Sequence, residues 1–379
     1  MIFATPELTA EDQRVAGEIT GYYEEFRHLP AEPHRWEGQL RRSITAAAVR
    51  SSTHIEGYTI GEQAAETLIA GGDISAETDE ETLAAVTGYR DALSYVQHAA
   101  RFKIFSWDHT LLSALHFMMT RTERDKQPGE YRTTGVWVVG GRDEPPVYTA
   151  PEPDLVPELM GELLDWLAHG DLGCPAFVRA SMAHLNLVSI HPWRDGNGRM
   201  SRAVHTLVLA RDGVLAPEFS SIEEWLGSDE LHTMQYYTAL REVRTAWQPE
   251  RDARPWLRFA LRTHHLQAQS VQRRFAVAQR LWLRLEEIAS AHSLGERTIT
   301  ALYAAATGQL RRTYYMGEEG LTRDQSLADL RTLRKLNLIE PVGHARTQRY
   351  TGGPALLTAQ REVRADVYKD FFREPYPDS

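Results

Sequence analysis

Residues 191 to 202 read His-Pro-Trp-Arg-Asp-Gly-Asn-Gly-Arg-Met-Ser-Arg. They bring a proton acceptor, a carboxylate, a glycine-flanked amide and two guanidinium groups together. Gly196 and Gly198 flank Asn197 just ahead of a helical run, Met200 to Leu209, so backbone N–H groups can approach an anion with no Cβ in the way. The start of such a helix adds its own partial positive charge. Arg199 and Arg202 stand three apart on the first turn and share a face, where two guanidinium forks meet phosphate oxygens. A carboxylate in a site built for anions needs a reason, and a Mg²⁺ ion bridging Asp195 to the phosphates supplies one. His191, four residues before Asp195, then faces a nucleotide with an imidazole that accepts a proton near neutral pH. Alone, each of these groups reads as a turn or a loop; in combination they specify a nucleotide site.

The same stretch resembles the signature of Fic-domain proteins, His-Pro-aromatic-x-Asp/Glu-Gly-Asn-Gly-Arg-x-x-Arg. It matches at His191, Pro192, Asp195, Gly196, Asn197, Gly198, Arg199 and Arg202, with Trp193 in place of the usual Phe. The resemblance implies a mainly α fold, a Fic-type helical bundle with a small β-hairpin flap. It implies transfer of AMP from MgATP to a Ser, Thr or Tyr hydroxyl of a target protein, or of the chain itself. His191 would take the hydroxyl proton, Asp195 would hold Mg²⁺, and Gly196, Asn197, Gly198, Arg199 and Arg202 would bind ATP. Tyr236-Tyr237 resembles an aromatic pair near the adenine, which adds Tyr237 to the ATP-binding set.

Ser52-Thr53-His54-Ile55-Glu56-Gly57 resembles the inhibitory helix motif of that family, (Ser/Thr)-x-x-x-Glu-(Gly/Asn). Ser52 and Glu56 lie four apart, on one face of a helix. The resemblance implies that Glu56 pairs with Arg199, so that its carboxylate repels the terminal phosphate of ATP. Whether this acts within one chain or across a homodimer is left open by the sequence. Other chemistries use the same residues. Glu56 could position a water to remove AMP, the site could sense ATP for a DNA-binding regulator, or His184, His191 and Asp195 could form a hydrolytic metal site.

Helices must position this loop. Leu155 to His169 carries Leu159, Met160, Leu163, Leu164 and Leu167 on one stripe, and Pro175 to Ile190 leads straight into His191. Gly135 to Val139, a turn at Gly140-Gly141-Arg142-Asp143 and Val147 to Ala150 predict a hairpin, which looks like the flap that holds a target segment by strand addition. We divide the chain into a helical region over 1–100, a catalytic core over 101–266, a connection and helix over 267–296, a winged-helix-like domain over 297–353 and a tail over 354–379. The fourth segment reads as a helix to about Gln309, a turn at Gly317 to Gly320, a helix from Thr322, and two short strands around Gly343-His344-Ala345-Arg346. Its Arg331, Arg334, Lys335, Arg346 and Arg349 would meet a DNA backbone or another protein.

Composition bounds the rest. The net charge of −10 argues against a general nucleic-acid coat, yet residues 297–353 carry +4 and leave −14 elsewhere. One cysteine, Cys174, excludes an internal disulfide. No apolar run reaches the roughly 20 residues of a membrane helix, and the first residues lack a basic and apolar leader, so a cytoplasmic protein with no membrane contact is expected.

Overall fold

The computed structural model describes residues 1–28, 35–74, 78–139, 145–213, 219, 221–308, 310–343 and 348–377. The chain divides into two compact units, one of residues 1–28, 42–268 and 374–379, the other of residues 29–41 and 269–373. It is mainly helical. In chain order the helices are α1 (Ala10–His28), α2 (Glu37–Ile55), α3 (Glu62–Ile69), α4 (Glu80–Ala99) and α5 (His109–Thr120). A hairpin of β1 (Trp137–Val139) and β2 (Pro146–Thr149) follows. Then come α6 (Val156–His169), α7 (Ala176–Ile190), α8 (Asn197–Arg211), α9 (Glu223–Leu226), α10 (Glu230–Val243) and α11 (Arg254–Ala291).

In the first unit α7 is the central element. Its residues are nearly all small or apolar, and every one of them is buried. Arg179 is its one full charge, and the guanidinium is spent on the carbonyls of Gly170 and Leu167 and on Asp212. Full burial of each large side chain, such as Leu185 or Phe177, contributes about 1.5–3 kcal/mol. Helix α8 packs on α7 and is itself buried from Met200 to Leu209, while α4 lies against both α5 and α8. Asp79, Asp108 and Asp229 cap α4, α5 and α10 by accepting from the backbone N–H of Thr82, Leu111 and His232. Gly88 lets α4 meet α5 at backbone distance, because a Cβ there would lie 2.7 Å from the Met119 carbonyl oxygen.

The hairpin is antiparallel, pairing Trp137 with Thr149 and Val138 with Tyr148, and its register shifts between Val138 and Val139. The expected turn at Gly140 to Asp143 lies outside the described residues. Beside β2, Thr149 forms a parallel bridge with Ala246, so the segment after α10 borders the hairpin.

The second unit contains α12 (Thr298–Ala306), α13 (Arg312–Glu319), α14 (Arg323–Lys335), β3 (Ile339–Val342), β4 (Arg349–Gly352) and α15 (Pro354–Val367). Thr322 and Gln325 form a reciprocal capping box at the start of α14. Strands β3 and β4 are antiparallel, and Leu310 bridges to Tyr350. Arg331, Arg334 and Lys335 are exposed on α14, whereas Arg346 lies outside the described residues.

Three sequence expectations need correction. Residues 267–274, read as a connection, are continuous helix within α11, since a polar stretch with no Gly or Pro has no reason to break. Gly317 is helical, and the turn is made by Gly320 in the left-handed region at φ 61°. The tail carries α15, which starts with Pro at its first position.

Candidate functional site

Helix α7 ends at Ile190, and the loop 191–196 carries the chain into α8. His191 closes α7 in the left-handed region at φ 52°, its N–H donating to Leu187 O at 3.0 Å. A non-glycine residue held there is strained. The strain is supported by Arg132, whose Nε donates to His191 O (2.8 Å), Nη1 to Thr134 O (3.1 Å) and Nη2 to Pro151 O (2.6 Å). Trp193 is fully buried and stacks on His116 with 4.6 Å between ring centroids. Because Gly129 N–H donates to His116 Nδ1 (2.8 Å), the other ring nitrogen carries the proton and donates to Asp195 O (3.0 Å). Asn197 closes the loop with both ends of its amide, Oδ1 accepting from Trp193 N–H (3.0 Å) and Nδ2 donating to Trp193 O (2.9 Å). Gly196 takes φ 74° at the start of α8, a conformation that leaves the helix's first N–H groups open.

His191 Nδ1 lies 3.1 Å from Val188 O. A carbonyl only accepts, so Nδ1 holds the hydrogen and Nε2 is left as the proton acceptor. Burial, helped by the nearby Arg244 guanidinium, pushes the His191 pKa down to about 4, so the ring is neutral at physiological pH. His191, Asp195, Gly196, Asn197 and Gly198 line a cavity of about 450 Å³ whose other wall includes Val138, Val147, Tyr148, Leu240 and Arg244. That volume suits a nucleotide-sized ligand.

Asp195 Oδ1 accepts from Gly196 N–H (2.6 Å), and Oδ2 lies 3.5 Å from Lys126 Nζ. Arg199 is buried with Nη2 4.0 Å from Asp195 Oδ1, its guanidinium lies over the Tyr58 ring, and its Nε and Nη1 have no hydrogen-bond partner. Arg202 is bound to the end of α2 through two of its three nitrogens. Its Nε donates to Ser52 Oγ (2.8 Å), and Nη2 donates to Ser52 O (3.0 Å) and to Glu56 Oε1 (2.6 Å). Burial works against the Arg202 charge, but Glu56, with Tyr236, Tyr89 and Glu223 behind it, outweighs burial and raises its pKa.

The partner of Glu56 is therefore Arg202 and not Arg199. The two arginines share a turn but not a direction: Arg202 points to α2, where Ser52 reaches it, and Arg199 points to Asp195 and Tyr58. Helix α2 also stops at Ile55, one residue before Glu56, which sits in the turn closed by Gly57 at φ 92°. The Glu56 carboxylate lies directly over Gly198, so a Cβ on Gly198 would collide with it. A carboxylate thus occupies the anion seat at the start of α8.

Tyr237 lines the cavity, and its hydroxyl donates to Ile55 O (3.1 Å), the last carbonyl of α2. Tyr236 is core, bonded to His184 (3.0 Å). His184 spends its Nε2 on that bond. Among the described residues no three His, Cys, Asp or Glu side chains cluster as metal ligands, so the His184, His191, Asp195 set is not assembled. Nothing local in the sequence marks Arg132, His116 or Arg244. Each lies far from the motif in the chain, and only the fold brings them to the loop.

Residues 106–209 match the model of the Fic/DOC family. The matched segment runs from just before α5 into α8 and includes the loop 191–196. It is similar to protein adenylyltransferase fic-1 of Caenorhabditis elegans, 26% identical over 278 residues that cover 71% of this chain and 48% of that protein. Protein adenylyltransferase Fic of Nematostella vectensis is 27% identical over 272 residues, 68% of this chain and 56% of that protein. The chain spans about half the length of these curated relatives. Among solved structures, a Fic family protein from Desulfovibrio desulfuricans G20 superposes with a TM-score of 0.60 at 23% identity over 92% of this chain and 98% of that one. Residues 134–508 of Fic-1 from C. elegans superpose with a TM-score of 0.56 at 23% identity, over 71% and 73% of the two chains. No helix among the described residues is long and apolar enough to cross a membrane.

Proposed function

We propose that the chain is a protein adenylyltransferase that moves AMP from ATP to a hydroxyl of a target protein and is held back by its own Glu56. The observation that carries this reading is the neutral His191, with Nε2 free, beside a helix start whose anion seat holds a carboxylate. His191 Nε2 takes the proton of the incoming hydroxyl, whose oxygen attacks the α-phosphorus in line as pyrophosphate leaves. Backbone N–H groups at Asn197 and Gly198 and the open donors of Arg199 receive the phosphate charge. Arg202 joins them once Glu56 withdraws.

A single partly exposed carboxylate at the lining of the cavity fits Mg²⁺, which takes one or two carboxylates together with substrate phosphates and keeps several waters. Asp195 is the residue that would hold it, and the ion would neutralise charge on the phosphates. Trp137 and Val139 on β1 are exposed beside the cavity, and an extended target segment laid along that edge would bring its hydroxyl to His191.

Incubation of the Glu56→Gly protein with labelled ATP and MgCl₂, followed by mass spectrometry of the labelled proteins, tests the reading. An AMP adduct on a hydroxyl residue supports it. No adduct on any protein, including the chain itself, rejects it.

A further inference from the structure

Arg244 caps the C-terminal end of α10 and is 5% exposed, yet its Nε and Nη1 have no hydrogen-bond partner. The guanidinium lies over the Tyr148 ring with Cζ 3.9 Å from the centroid, and the chain just beyond it is fixed by Thr149 N–H donating to Thr245 O at 3.1 Å. Arg244 is therefore held rigidly, at the wall of the cavity formed by the hairpin. Open donors on a buried charge are costly, and a structure keeps them where a ligand completes them. The tyrosine hydroxyls on this wall are already committed. Tyr148 O–H donates to Ser189 O, Tyr237 O–H donates to Ile55 O, and Tyr236 is bonded to His184. Arg199 has the same two open nitrogens, but it faces Asp195 and Tyr58.

We propose that Arg244 is a nucleotide-binding contact whose two open N–H groups receive acceptor atoms of the bound nucleotide, on a wall separate from the phosphate loop. The inference rests on the nucleotide reading of this cavity. A guanidinium fork offers donors only, so its partner is a sugar or phosphate oxygen, or a base edge rich in acceptors. The carbonyl and ring nitrogen of guanine match such a fork in pairs, whereas adenine presents an amino group beside its ring nitrogen. Arg244 thus sets which base the cavity tolerates if it meets the base, and tightens all nucleotides alike if it meets the sugar or phosphates. It also contributes to keeping His191 neutral.

Titration calorimetry with ATP, GTP, CTP and UTP, comparing Glu56→Gly with Glu56→Gly/Arg244→Gln, tests this. An equal loss of about tenfold or more for all four nucleotides supports a sugar or phosphate contact, and a loss that reorders the four supports a base contact. Affinities within twofold of one another for every nucleotide overturn the proposal. Should Glu56→Gly itself bind none of the four, the nucleotide reading of the cavity fails first. Melting temperatures establish that the double variant is folded. If it is not, Arg244→Lys, which keeps the charge and loses the fork, is measured under the same criteria. Transfer by the Arg244 variant should also lose activity at a higher pH than its parent, because His191 then protonates more readily; an unmoved acid limb counts against the role.

Discussion

At the scale of single residues, the loop 191–202 divides its work between groups that face the cavity and groups that hold the loop. His191 faces the cavity, so His191→Ala should lower transfer by about 10²- to 10⁴-fold in the Glu56→Gly background while the melting temperature stays close to that of the parent. With the His191 pKa pushed down to about 4, the imidazole remains a proton acceptor across pH 5 to 8, and the transfer rate over that range should show no acid limb from this group. A limb near pH 6.5 would mean that the ring is solvated like a free histidine. The sequence made the cavity-facing groups legible because their types are rare in such combination. It was silent on Arg132 and His116, since one arginine or histidine in a helix or turn carries no signal until the backbone carbonyls it serves are brought to it.

At the scale of elements, the end of α2 and the short α9 form one mechanical piece. Gly227, which ends α9, abuts the backbone of Ser51, and a Cβ on it would overlap the Ser51 carbonyl oxygen. Gly227→Ala should therefore push Ser52 and Glu56 away from Arg202 and raise basal transfer several-fold over wild type, read with labelled ATP. Unchanged basal activity would show that α2 yields elsewhere. Helices α7 and α8 could be read from their apolar spacing, and the four-residue interval from Ser52 to Glu56 was visible too. Which arginine Glu56 meets was not, because positions three apart on a helix differ by a direction that only the packing of α2 decides. Likewise α11 continues through residues 267–274 because they hold no Gly or Pro, a signal that their polar composition masked.

At the scale of the whole molecule, the first unit buries an unusual set of histidines. His184, His205 and His264 lie within hydrogen-bond reach of Tyr236, of each other or of Tyr23, and His116 lies under Trp193. Burial pushes His116 down to about 4 and His205 to about 3, and drives His184 and His264 well below the usual imidazole range. These groups are neutral in the folded chain and charge readily in the unfolded one. Their contribution is complete above pH 6.5 and is lost as the pH falls from there toward the folded values, because only the unfolded state takes up protons in that window. His116 and His205 each cost roughly 2 kcal/mol at pH 5. The melting temperature should fall steadily below pH 6.5, and a flat profile from pH 7 to 5 by calorimetry would contradict this account.

The hydrogen bond from the Tyr237 hydroxyl to the last carbonyl of α2 ties a wall of the cavity to the segment that carries Glu56. Tyr237→Phe, by untying that latch, should raise basal transfer and weaken nucleotide binding together. If Glu56 is the brake we propose, loosening it would reshape the seat beside Gly198, and any partner that grips α2 from outside would tune how often the seat opens and how well it holds what arrives.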